Sequence, residues 1–171
     1  MTFKVVDTNV ALVANNKAEQ ADRECVLACI NALGRIIASG GIVLDDGRLI
    51  IAEHMKNLNL KGQPGAGDAF VKRVFDNQAN VKVAEQVNIT KDVSRGFMEF
   101  PDDPRLAGFD KDDRKFVAAA LASRCNPEIL NAVDSDWWHN GQALEDCGVK
   151  VRFLCPGQFT YARRSRRRRS D

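Results

Sequence analysis

Short aliphatic runs in this chain lead into acids. Val5-Val6 runs into Asp7, Ile42-Val43-Leu44 into Asp45-Asp46, and Ala132-Val133 into Asp134-Ser135-Asp136. Strands commonly end on turn formers, so one such acid is ordinary. Three on a common rim are more pointed, because like charges brought together cost free energy unless a cation offsets them. Two further groups of acids sit on helical patterns. Glu53 lies inside one, and Asp110, Asp112 and Asp113 open another that continues Arg114-Lys115-Phe116-Val117-Ala118. Acids in a first helical turn are favoured by the helix dipole, which accounts for one or two of those three. Carboxylates gathered without His or Cys select hard divalent ions, Mg²⁺ or Mn²⁺. Such ions support phosphodiester hydrolysis by acidifying a water and stabilising the displaced oxygens. A scatter of solvated surface acids is the competing account.

The elements that must position these acids follow from periodicity. Phe3–Asp7 reads as a short buried strand, and Asp7-Thr8-Asn9 as turn and capping chemistry after it. Apolar residues at three- and four-residue spacing predict a helix over 19–39, ended by Gly40-Gly41. Ile42-Val43-Leu44 is a second strand, Leu49 to Leu58 a helix, and Lys61 to Gly67 a break after which Asp68 caps a helix reaching about Asn77. A short strand is expected over 86–89, a helix over 112–124, a strand over 128–133, a helix over 138–147 and a last strand over 149–154. Strands alternating with helices predict an α/β protein: a three-layer α/β/α sandwich with a central parallel sheet of four to five strands. In such sheets ligands bind outside the carboxyl ends of the strands, where the acids of the strand ends fall.

The 171 residues suit one domain. The net charge of +2 hides a division: of 25 bases and 23 acids, six Arg and one Asp fall in 162–171, leaving 19 bases against 22 acids in the body. Residues 1–160 are therefore read as the domain and 161–171 as an Arg-rich tail, expected to be disordered. The tail can raise affinity for RNA phosphates in a salt-dependent way, or serve only solubility. No apolar run approaches the roughly 20 residues of a membrane span, and the first ten residues lack a signal-peptide layout. The expectation is a cytoplasmic protein with no membrane partner. Five Cys are then expected to be reduced, with Cys25 and Cys29 as small buried residues on one helix face and a metal pair as the alternative.

Four segments together resemble a known family. Val5-Val6-Asp7-Thr8-Asn9-Val10 is similar to the opening strand and first acid of PIN domains, nucleases that include VapC-like toxin ribonucleases and RNA-processing factors. Ile51-Ala52-Glu53-His54 resembles the family's helical Glu. Phe109-Asp110-Lys111-Asp112-Asp113-Arg114-Lys115-Phe116 resembles its acid at a helix start, and Asn131-Ala132-Val133-Asp134-Ser135-Asp136-Trp137 its strand followed by Thr-x-Asp and an aromatic. The resemblance spans about residues 3–154. It implies a Mg²⁺- or Mn²⁺-dependent endoribonuclease with Asp7, Glu53, Asp113 and Asp136 as catalytic and metal-binding acids. Asp134, where the family has Thr or Ser, would be an additional metal ligand. Asp110 and Asp112 compete with Asp113 for the third role. Asn9 and Arg114 are candidates for substrate contact. RNA is the implied partner, together with a cognate antitoxin or a second copy as a homodimer. A catalytically weak RNA- or protein-binding scaffold is the alternative, because such domains can persist without chemistry. A phosphatase with a flavodoxin-like sheet is disfavoured, since Asp7-Thr8-Asn9 offers Asn where that chemistry needs a second Asp.

Two motifs compete for attention. Gly65-Ala66-Gly67-Asp68-Ala69-Phe70 resembles the anion-holding signature of ribokinase-like sugar kinases; a Gly-rich turn capped by Asp68 explains it without a ligand. Trp137-Trp138 can stack on bases, but adjacent residues at a helix start point apart, which puts one in the core and one nearer the site.

Overall fold

The computed structural model describes residues 2–159, so the Arg-rich tail and its expected disorder lie outside the described residues. Its five-stranded sheet is built from β1 (Lys4–Val6), β2 (Ile42–Asp45), β3 (Ala84–Val87), β6 (Glu128–Asn131) and β7 (Lys150–Phe153). All pairings are parallel, in the order β3-β2-β1-β6-β7. The predicted α/β class and central parallel sheet are those of the structure. Between strands lie α1 (Thr8–Ala14), α2 (Arg23–Ser39), α3 (Leu49–Asn57), α4 (Ala66–Asn77), α5 (Arg114–Ala122) and α6 (Ser135–Asp146). A small hairpin, β4 (Lys91–Asp92) with β5 (Gly96–Phe97), precedes a 3₁₀ turn at Pro104–Leu106.

The middles of the central strands are aliphatic because helices cover both faces, while the edge strands β3 and β7 carry polar residues. Val5, Val6, Val43 and Ile129 are fully buried. Helices α1, α2 and α4 pack on one another, while α5 lies against β1, β2 and β6 and α6 against β7. Right-handed crossovers put the first three on one face and α5 and α6 on the other. The chain steps from β1 outward to β2 and β3, then returns to the opposite side of β1 for β6 and β7. The order therefore reverses between β1 and β6, and the crevice above that switch point is where such sheets bind ligands.

Several element boundaries differ from the expected ones, for reasons visible at the caps. Helix α2 starts at Arg23 rather than Glu19, because Asp22 accepts the Cys25 amide at 2.8 Å. Helix α5 starts at Arg114, two residues late, and α6 at Ser135, three residues early, where Asp134 accepts the Asp136 amide. Helix α1 had no counterpart in the periodicity, since Val10, Ala11, Val13 and Ala14 are all buried and no polar face marks the turn of the helix. The hairpin was also unforeseen. Its turn is held by Asp92 Oδ1, which accepts the amides of Ser94 and Arg95.

The cysteines differ from expectation. Cys25 and Cys155 form a disulfide that ties the start of α2 to the segment after β7, with 5.2 Å between their Cα atoms. Cys29 is a buried free thiol, and Cys125 and Cys147 are also free. The pairing joins residues 130 apart in sequence, a contact that spacing along a helix cannot reveal.

The Gly65-Ala66-Gly67-Asp68 segment is a packing device. A Cβ at Gly67 would stand 2.2 Å from the Ala11 carbonyl oxygen, so only glycine lets α4 approach α1 this closely. Asn15, just past α1, accepts the Gly67 amide through Oδ1 at 2.7 Å and so occupies the amide an anion would need. Asp68 accepts the amides of Gly65 and Asn59. Among the described residues, no helix is long and apolar enough to cross a membrane.

Candidate active site

Asp7 begins the site. It follows β1 directly and is the N-cap of α1, its Oδ1 accepting the Asn9 amide at 2.9 Å. Its Oδ2 faces β6, where Asn131 Nδ2 stands 3.4 Å away. The residue is only 4% exposed. Burial, then the charges of Asp113, Asp134 and Glu53, holds its carboxyl well above the usual carboxylate range.

Asp113 stands at the N-terminus of α5 without capping that helix. Its Oδ2 instead accepts the indole N–H of Trp137 at 3.2 Å. Burial, with the charges of Asp134, Asp110 and Glu53, raises its pKa to about 7, against an opposing pull from Lys115. Asp134, the N-cap of α6, is also raised, first by burial and then by Asp136 and Asp110. Asp7, Asp113, Asp134 and Glu53 thus act on one another electrostatically across the switch-point crevice.

Asp136 adjoins Asp134, and both of its carboxylate oxygens have partners. One carboxylate oxygen accepts the Asp110 amide at 2.9 Å, and the other accepts Asn140 Nδ2 at 3.1 Å. Its charge bears on Asp134 and it holds the loop that carries Asp110. Asp110 and Asp112 are both exposed, whereas Asp113 is half-buried toward the crevice. Asp45 and Asp46, at the end of β2, are used up locally. Asp45 accepts the amides of Leu49 and Ile50 and caps α3. Asp46 accepts Asn88 Nδ2.

Glu53 projects from α3 and is held at both oxygens. Thr8 Oγ1 donates to Oε1 at 2.7 Å, and Lys115 forms an ion pair with Oε2. Lys115 also donates to the Asp112 carbonyl and lies over the Phe116 ring, with Nζ 4.8 Å from the centroid. It is 8% exposed, a buried cation among acids. Sequence reasoning missed Lys115, Thr8 and Asn131. The signal was available for Lys115 alone, as a lysine within an otherwise apolar helix face.

Two candidates for substrate contact have internal roles. Arg114 is 4% exposed. Its guanidinium donates to the carbonyls of Phe109, Ala107 and Arg95 and lies 4.6 Å from the Phe100 ring centroid. It pins the loop before α5 and is not free for a phosphate. Asn9 accepts the Ala132 amide at 2.9 Å, tying α1 to the end of β6, while its Nδ2 is buried without a partner among the described residues. Trp137 is fully buried and Trp138 packs against Phe153 and Phe159. The tryptophan in the core is thus also the one that touches the site.

His54, beside Glu53 in sequence, is fully buried and bonds the Val6 carbonyl through Nε2 at 3.1 Å. Burial lowers its pKa to about 4, so it is a neutral structural group.

The donor set suits a hard divalent ion: oxygens only, with burial and neighbouring acids raising the pKa of Asp7, Asp113 and Asp134. It is not a tight cage. Among the described residues, the one group of three or more metal-capable side chains with all ligand atoms within 4.8 Å of one another is Cys25, Cys29 and Cys155. Looser acids fit Mg²⁺ better than an ion that strips its waters, because Mg²⁺ usually keeps several waters and one or two carboxylates. Beside Glu53 a groove of about 510 Å³ is lined by Lys56, Lys91, Lys111, Lys115, Asp112 and Phe97. No family model, curated protein or solved structure matches the chain.

Proposed function

We propose that the chain is a Mg²⁺- or Mn²⁺-dependent endoribonuclease acting on single-stranded or structured RNA. The observation that carries this reading is the group Asp7, Asp113, Asp134 and Glu53, buried or half-buried at the switch point of a parallel sheet, where burial and neighbouring acids hold the carboxyls of Asp7, Asp113 and Asp134 above the ordinary range. A fold does not gather such charges without cost, and a bound cation offsets it. Asp7, Asp113 and Asp134 would hold the ion, with Glu53 beside them. A bound divalent ion supplies an acidified water and stabilises the charge that develops on a phosphodiester.

The rest of the chemistry belongs to the chain. Asn9 and Asn131 fix the carboxylate of Asp7 against β6. Trp137 orients Asp113, and Asp136 steadies the loop before α5. Lys56, Lys91 and Lys111 line the groove beside Glu53 and favour a polyanion there. The groove lies open, which suits a strand rather than a small phosphate ester.

A catalytically weak RNA- or protein-binding scaffold is the second reading. It is favoured by the Glu53–Lys115 ion pair, which already answers one acid with an internal cation, and by the loose spacing of the carboxylates. The two are separated by incubating single-stranded RNA and DNA with Mn²⁺, Mg²⁺ or EDTA, beside Asp7→Asn. RNA cleavage that needs the ion and is lost in Asp7→Asn supports the nuclease. Equal cleavage by the mutant points to contamination, and no cleavage of any substrate supports the scaffold.

A further inference from the structure

Three sulfurs meet at one end of α2. Cys25 sits in its first turn and Cys29 one turn further on, on the same face, while Cys155 reaches them from the segment after β7. All three are buried, at 3%, 0% and 5% exposure, and each sulfur lies within 4.8 Å of the other two. A disulfide explains two of them. It does not explain a third thiol held against the bond.

We propose that, once the Cys25–Cys155 bond is reduced, Cys25, Cys29 and Cys155 form a three-thiolate site for Cu⁺, so that disulfide and metal are alternative occupants of one cluster. The choice of ion follows from the donors. Thiolates are soft ligands and select Cu⁺, Zn²⁺ or iron–sulfur clusters. Structural Zn²⁺ takes four protein ligands, whereas this group has three and contains no His or carboxylate. Cu⁺ is satisfied by three. The surplus negative charge falls beside the positive end of α2, a helix of 17 residues, where anions are favoured.

The chemistry balances in two steps. A dithiol reductant gives two electrons and two protons to the Cys25 and Cys155 sulfurs, breaking their bond and closing its own disulfide. Cu⁺ then displaces the thiol protons to solvent. Cys29 is buried against the disulfide, and the ion takes the place of its thiol proton when the site fills. Cys125 and Cys147 lie outside the cluster and serve as internal controls.

The test uses the full chain, reduced with dithiothreitol, desalted without oxygen and given an acetonitrile complex of Cu⁺. Binding is read from the ultraviolet thiolate-to-copper band and from competition with a chromogenic Cu⁺ chelator. One copper per chain is expected, held roughly tenfold or more weaker in Cys29→Ser and unchanged in Cys125→Ser and Cys147→Ser. Alkylation mapped by mass spectrometry gives a readout that needs no variant: copper should protect Cys25, Cys29 and Cys155 and leave Cys125 and Cys147 reactive. Copper lost entirely to the chelator, retained equally by Cys29→Ser, or protecting the control cysteines instead would overturn the site. Zn²⁺ bound in preference to Cu⁺ would overturn the choice of ion.

Discussion

The indole N–H of Trp137 donates to Asp113 Oδ2 at 3.2 Å, so the first turn of α6 holds the acid that opens α5. Two helices separated by a whole strand thereby share one carboxylate. Trp137 is fully buried and packs edge-on against Phe109, with centroids 5.0 Å apart, so its donor is rigidly placed. Trp137→Phe keeps most of that packing and removes the donor. Metal-dependent cleavage should fall about tenfold while the circular dichroism spectrum stays native. Trp137→Ala should instead unfold the protein more easily by about 3–5 kcal/mol in urea titration. Full activity in Trp137→Phe would show that Asp113 needs no orientation.

The raised pKa of Asp113, about 7, makes a signed statement about stability. Between the carboxyl's ordinary value of 3.8 and about 7, the folded protein holds a proton that the unfolded chain releases, so its contribution shrinks as pH rises through that window. His54, lowered to about 4, acts oppositely: its contribution is lost as pH falls from 6.5 toward 4. Asp7 and Asp134 are raised as well and act in the same direction as Asp113, against His54, so the difference between proteins is the measure. Metal-free Asp113→Asn should gain stability over wild type as pH rises from about 4 to 7, reaching on the order of 2 kcal/mol after screening of this half-buried group. Melting curves across that range check it, and a difference independent of pH would contradict the raised pKa.

Lys115 answers the same cluster from inside. Lys115→Gln removes the cation from Glu53 and from the neighbourhood of Asp113. The metal-free protein at pH 7.5 should lose about 1–3 kcal/mol, and added Mg²⁺ should restore part of it, because the ion takes over the lost neutralisation. Thermal melts with and without Mg²⁺ distinguish this from simple loss of packing, which Mg²⁺ would not repair.

Arg114 anchors the loop ahead of the site through backbone carbonyls. Arg114→Ala should cost about 2–4 kcal/mol by leaving buried carbonyls without donors. RNA affinity, measured where the variant is fully folded, should stay at the wild-type value. A large loss of affinity in folded protein would return Arg114 to the substrate.

Glycine-to-alanine changes inside helices usually stabilise. Gly67→Ala should do the reverse, because its Cβ would meet the Ala11 carbonyl oxygen at 2.2 Å. A loss of about 1–3 kcal/mol is expected from denaturant titration. A gain would mean that α1 and α4 can separate freely.

The pattern of acids at strand ends was legible because it is local: an aliphatic run followed by a carboxylate can be read without knowing where the run goes. Asp7 and Asp134 were found that way. The same pattern also pointed at Asp45, whose carboxylate is spent on the amides of Leu49 and Ile50. Whether a rim acid caps a helix or faces a crevice depends on the turn that follows, and both kinds of turn have similar composition.

The amino-acid order by itself determined the alternation of strands and helices, and with it the parallel sheet covered on both faces. Periodicity and capping are local, and alternation leaves few topologies once crossovers must be right-handed. Tertiary structure alone decided the rest. It set the reversal of strand order between β1 and β6, which brings Asp7 to Asp134 across more than 120 residues. It turned Asp113, rather than the exposed Asp110 and Asp112, inward onto Trp137. It moved Arg114 into the interior, seated Lys115 against Glu53, and drew Cys155 to Cys25 and Cys29. Each of these is a contact between distant segments. Its free energy comes from burial and charge pairing that exist only after the chain has closed on itself.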